Sequence, residues 1–258
     1  MKKKNLFPIF VLLVLTSFSW RESSGQTPKT DSPSKPTIVI VHGAWGGAWA
    51  FKKVDAMLRQ KGFEVYRPQL TGQGDRVHLA RPDIGLNTHI DDVVNTILYE
   101  DLRDIILVGH SYGGMVISGV ADRVPDRIRR LVYLDAMVPN DGDSVSTLLG
   151  ASEFIKRMTQ GDYLVPPWVK PDQPPPHDVP QALKTFTDPI SLKNEAARKL
   201  PATYILTVEK GKEAKDDDFF RQSQRAKERG WTMLQLTSDH NPQWSAPEPL
   251  VEMLAGIR

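Results

Sequence analysis

Asp104-Ile105-Ile106-Leu107-Val108-Gly109-His110-Ser111-Tyr112-Gly113-Gly114 is the stretch whose reading decides the fold. Its first half is short, apolar and rich in branched residues, the pattern of a parallel strand buried on both faces. After it, Met115-Val116-Ile117-Ser118-Gly119-Val120-Ala121 carries no turn residue beyond one Gly and reads as a buried helix. Strand, G-x-S-x-G and helix in that order predict a turn too tight for Cβ atoms on either side of the serine. The same turn holds the serine in a strained conformation. It lifts the Ser111 hydroxyl off the sheet and aims a helix N-terminus at it, where negative charge is favoured.

Working outward, the same alternation recurs on both sides of that stretch. Thr37-Ile38-Val39-Ile40-Val41, Phe63-Glu64-Val65-Tyr66 and Leu131-Val132-Tyr133-Leu134-Asp135 read as strands, as do Thr203-Tyr204-Ile205-Leu206-Thr207 and Thr232-Met233-Leu234-Gln235-Leu236. Helical spacing links Trp49, Val54, Met57 and Leu58, with Gly62 as the stop. An amphipathic helix over 86–100 presents Ile90, Val93, Val94, Ile97 and Leu98 on one side, and 247–257 closes the chain as a helix. Short apolar strands alternating with helices predict an α/β protein with a mostly parallel, doubly wound sheet. Residues 138–200 break the rhythm with a Pro-rich segment that contains Trp168. So long an interruption is read as a cap over the site.

The chain has 258 residues, 40% of them hydrophobic, enough for one sizeable domain over 36–258. A formal net charge of +2 with interspersed signs gives no basic stripe, so nucleic acid is not an expected partner. Lys2-Lys3-Lys4 followed by the mostly apolar run 6–20, with small residues at Ser17 and Ser19 or Ser23 and Gly25, predicts a signal peptide over 1–25. The alternative is an uncleaved anchor. Residues 26–35 then form a flexible leader. The chain has no cysteine, so neither a lipid anchor on cysteine nor a disulfide is available. The expectation is an exported bacterial protein, periplasmic or secreted, with no membrane contact after cleavage.

A serine needs a base to become a nucleophile. Of six histidines, His240 follows the last strand and precedes the terminal helix, the place the chain order Ser, acid, His requires. His110 belongs to the turn and is expected to point away from Ser111, and His42 ends the first strand. His78, His89 and His177 are given solvated or capping roles. Two carboxylates compete to hold the base: Asp135 at the end of one strand, the favoured choice, and Glu209 just beyond another. Asp239 adjoins the base, where consecutive side chains diverge, and Asp216, Asp217 and Asp218 read as a solvated helix start. Backbone N–H groups of Tyr112 and Ala44 are the candidate oxyanion donors. Trp45, Trp49, Tyr112, Met137 and Trp168 are candidates for the wall of an apolar pocket.

With these motifs in place, the chain resembles the α/β-hydrolase superfamily, in particular bacterial esterases related to plant methylesterases, salicylate-binding esterases and hydroxynitrile lyases. The likeness rests on Val41-His42-Gly43-Ala44-Trp45-Gly46-Gly47-Ala48-Trp49, Gly85-Leu86-Asn87-Thr88-His89-Ile90, residues 108–114, Tyr133-Leu134-Asp135-Ala136 and Asp239-His240. It implies the α/β-hydrolase fold with a cap inserted between the sixth and seventh strands. It also implies a Ser–His–acid enzyme with no metal and no organic cofactor. Plant relatives place the acid where this chain has Lys210, while the strand end of Asp135 carries it in other branches. The lyases have a threonine where this chain has Gly43 and a lysine where it has Asn241, so lyase chemistry is disfavoured. The expected substrate is a small-molecule carboxylic ester of small to medium size. A ligand-binding receptor on the same scaffold is the alternative, as is hydrolysis of lactones, thioesters or amides.

Overall fold

The computed structural model describes residues 35–150 and 153–257. The expected signal peptide and nearly all of the leader lie outside the described residues. Among the described residues no helix is long and apolar enough to cross a membrane.

Six parallel strands make the main sheet: β1 (Ile38–Val41), β2 (Val65–Tyr66), β3 (Ile105–His110), β4 (Ile128–Leu134), and, after a long insertion, two more. The insertion holds a small antiparallel sheet of β5 (Thr159–Gln160), β6 (Tyr163–Leu164) and β7 (Gln181–Ala182). The main sheet then resumes with β8 (Ala202–Val208) and β9 (Thr232–Thr237), and its order is β2-β1-β3-β4-β8-β9. The insertion therefore falls between the fourth and fifth strands of this sheet. The expected count of sixth and seventh is corrected, because no strand precedes β1 among the described residues.

Alternation along each strand sends neighbouring side chains to opposite faces, and each face has its own core. Val39, Val41, Leu107 and Tyr133 face one side, where α2 (Leu86–Tyr99) and α3 (Gly113–Arg123) contribute Ile90, Val93, Met115 and Val116. Ile38, Ile40, Val108 and Val132 face the other, against Val54 and Leu58 of α1 (Lys52–Gln60). Leu250, Val251 and Leu254 of the terminal helix, Pro247–Gly256, complete that second core. The chain runs from β1 outward to β2 and returns to place β3 on the other side of β1. This reversal opens a crevice at the carboxyl ends of β1 and β3, the place where open parallel sheets bind ligands.

Candidate active site

Four strand ends converge on that crevice. Ser111 follows β3 with φ 54°, in the left-handed region that costs a non-glycine residue about 1–2 kcal/mol. The flanking glycines make the turn possible by close approach. A Cβ on Gly109 would lie 2.6 Å from the Gly113 carbonyl oxygen, and one on Gly113 would lie 2.8 Å from the Val41 carbonyl oxygen. Asp135, directly after β4, also has a positive φ, 43°. His240 follows β9 in the loop that enters the short helix Pro242–Ser245.

His240 Nε2 lies 3.0 Å from Ser111 Oγ, and His240 Nδ1 lies 2.7 Å from Asp135 Oδ2. A carboxylate oxygen can only accept, so Nδ1 carries the ring proton and Nε2 presents its lone pair to the serine hydroxyl. Asp135 is fully buried, and its second oxygen accepts the Thr207 N–H at 3.2 Å. A buried carboxylate survives only when both its oxygens are met, and Thr207 and His240 together meet them. Glu209 is not brought to the imidazole. It is about half exposed and pairs with Lys212 at 2.7 Å. Asp239 turns instead to the Asn241 N–H and the Ser245 hydroxyl.

Of the two residues whose amides are expected to hold an oxyanion, Tyr112 follows the serine directly and Ala44 lines the same cavity. Among the described residues neither the Ala44 nor the Tyr112 N–H is engaged in a backbone hydrogen bond outside helices and strands. His42 Nδ1 donates to the Gly43 carbonyl at 2.8 Å, while its Nε2 accepts the Leu70 N–H at 3.3 Å. The Gly43 carbonyl and the Ala44 N–H belong to one planar peptide, so the ring that fixes the carbonyl also fixes the direction of the N–H. Burial holds His42 down to about 4, which keeps the ring neutral and able to accept at Nε2.

His89 departs from its expected solvated role. It is fully buried, donates Nε2–H to the Thr71 carbonyl and accepts the Tyr112 hydroxyl at Nδ1, both at 2.9 Å. Burial lowers its pKa to about 4. His110 likewise has a partner that sequence did not reveal: Nε2 donates to the His240 backbone carbonyl at 2.8 Å. Asp217 corrects the reading of the 216–218 run. All three reach the cavity or its mouth, but Asp216 and Asp218 are exposed while Asp217 is half-buried, and the helix after it starts only at Phe220. Burial, reinforced by the charge of Asp135, pushes the Asp217 carboxyl up to about 6.

The cavity above Ser111 holds about 860 Å³. Trp45, Met137 and Trp168 all line it, as expected of them. Trp45 is the hub of the wall: it meets Trp168 edge-on at 5.5 Å, Phe154 at 6.0 Å and Phe186 at 5.6 Å. Trp168, Phe154 and Phe186 come from the insertion, which thereby forms one side of the cavity. Trp49 instead stacks on Trp244 at 5.7 Å, with Trp244 at the rim. Phe154, Phe186 and Phe219 were not singled out from sequence. Isolated aromatics in irregular segments carry no periodic signal.

This chain belongs to the alpha/beta hydrolase family, whose profile matches residues 38–253. It is 38% identical over 241 residues to a carbendazim hydrolyzing esterase of Nocardioides sp. (strain SG-4G), a match that spans 85% of this chain and 98% of the relative. A pFDCC methylesterase of Arabidopsis thaliana is 30% identical, over 86% of this chain and 94% of the plant protein. An extracellular alpha/beta-hydrolase from a Paenibacillus species superposes with a TM-score of 0.71 at 23% identity, covering 85% of this chain and 98% of its own. At that identity the superposition speaks for the fold alone. The sequence relatives place the chain among the esterase branch that its motifs resemble.

Proposed function

We propose that this protein is a serine hydrolase of carboxylic esters that works through an acyl-enzyme intermediate. The observation that carries the reading is the unbroken path Ser111 Oγ, His240, Asp135 at the floor of the cavity, 3.0 Å and 2.7 Å per step. Ser111 Oγ attacks the ester carbonyl while His240 Nε2 takes the hydroxyl proton. The carbonyl oxygen becomes an oxyanion, met by the Ala44 and Tyr112 N–H groups. Asp135 holds the ring in the tautomer that can accept and stabilises the imidazolium that forms. His240 then gives the proton to the departing alcohol, leaving an ester on Ser111. Water enters by the reverse route: His240 takes its proton, hydroxide attacks the acyl carbon, and the carboxylic acid leaves as Ser111 recovers its proton.

The aromatic wall around Trp45 supports hydrophobic acyl or alcohol groups of small to medium size. The esterases named among the relatives support the same reaction class. Export to the periplasm or medium, with residues 1–25 removed, completes the reading.

The test is hydrolysis of p-nitrophenyl acetate by variants. Ser111→Ala is expected to lose at least about a thousandfold in kcat. Asp135→Asn is expected to lose on the order of a thousandfold or more, with KM little changed, and Glu209→Gln to stay within about twofold. Full turnover in Ser111→Ala would end the proposal; full turnover in Asp135→Asn would transfer the acid role elsewhere.

A further inference from the structure

The base is gripped on both faces by residues to which the reaction scheme above gives no role. On one face the Phe219 ring lies nearly parallel to the His240 ring, centroids 4.6 Å apart and planes 11° apart. On the other, the His110 ring sits 4.8 Å away at 35°, while its Nε2–H ties the His240 backbone carbonyl to the nucleophile turn. Phe219 is itself anchored, since its N–H donates to Asp217 Oδ1 at 2.8 Å. It stands at the last position before the helix Phe220–Glu228, which fixes where its backbone lies.

We propose that Phe219 is a positioning residue for the base: its aromatic face, with His110 opposite, locks the His240 ring and favours the imidazolium formed during catalysis. This rests on the ester-hydrolase reading for its meaning in turnover. A flat cation over an aromatic face at this separation is attracted by the negative centre of the ring. The near-parallel stack turns the plane of the imidazolium, rather than its edge, toward that face. His110 cannot serve the same electrostatic end. It stays uncharged, because burial and the neighbouring His240 hold it down to about 3, so its part is to orient without repelling the charge opposite. The other groups facing His240 are Asp135 from the end of β4, Ser111 from the nucleophile turn and Asp217 from the segment before Phe219. All of them remain when Phe219 is replaced, so the ring's own contribution can be isolated.

Leucine keeps the burial and removes the aromatic face; tyrosine keeps both. The readout is the low-field proton resonance of the His240–Asp135 hydrogen bond, followed against pH without substrate in the whole protein. In Phe219→Leu the imidazolium is expected to form about half a pH unit lower than in the parent. Phe219→Tyr is expected to titrate with the parent. With p-nitrophenyl acetate, Phe219→Leu should lose about five- to tenfold in kcat with KM within twofold, and Phe219→Tyr should lose less than twofold. A Phe219→Leu titration superimposed on that of the parent overturns the proposal, as does an equal loss of kcat in both variants. Because the titration needs no turnover, it stands apart from the nucleophile assignment, which fails only if Ser111→Ala remains active.

Discussion

Asp217 shows how one side chain can be misjudged from its neighbours. In sequence it is the middle of three acidic residues, a pattern that usually marks a solvated face. In the fold its neighbours stay exposed at the mouth of the cavity while Asp217 is half-buried, and burial with the charge of Asp135 lifts its carboxyl to about 6. The sign of its effect on rate follows. Below about pH 6 the carboxyl is neutral and does little to the imidazolium; above it, the negative charge stabilises that cation. Asp217→Asn keeps an oxygen for the Phe219 N–H and removes the charge. The ratio of parental to Asp217→Asn kcat is therefore expected to rise from about one at pH 5 to on the order of threefold at pH 8, read from paired pH–rate profiles. The pairing of Ser111 with His240 was legible because the proposed chemistry demands one turn and one chain position, and the structure brings the two within 3.0 Å. The carboxylate partner was less sharply legible, with Asp135 favoured over Glu209, because two strand ends offered one. Their side-chain partners differ: Glu209 is drawn to Lys212 and Asp135 to His240.

At the scale of elements, the strands and long helices were legible because a parallel sheet covered on both faces writes itself as apolar runs. Boundaries moved by up to three residues, as when β3 extended through His110 and β4 began at Ile128 rather than Leu131. The small antiparallel sheet in the insertion was not legible, since strands of two residues are too short to alternate. The helix after Ser111 packs so closely on the end of β4 that a Cβ on Gly114 would lie 2.2 Å from the Met137 carbonyl oxygen. The contact is backbone, not the free end of a side chain, so it cannot be relieved by a rotamer change. Gly114→Ala is expected to cost about 3 kcal/mol of stability by denaturant titration, and to lower kcat in whatever protein still folds.

Over the whole molecule, charge is nearly balanced, yet the cavity is not. Glu209, Asp216, Asp217, Asp218 and Asp178 line it or its mouth, against one lysine, Lys212. A cleft walled by one sign of charge repels ligands of that sign and helps expel a carboxylate product. A hemisuccinate ester is expected to show kcat/KM about tenfold below its neutral counterpart of equal size at low ionic strength. The gap should narrow in 0.5 M salt as the field is screened, to about twofold.

The sheet order, with its reversal at β1, has a temporal corollary. Ala44, Ser111, Asp135 and His240 are scattered across most of the polypeptide, and each is delivered by a different strand terminus. If these four residues act as proposed, activity toward p-nitrophenyl acetate during refolding is expected to return no earlier than the spectroscopic signals of helix and core. On the proposed mechanism, a polypeptide that ends before β9 lacks the base and is expected to be inert.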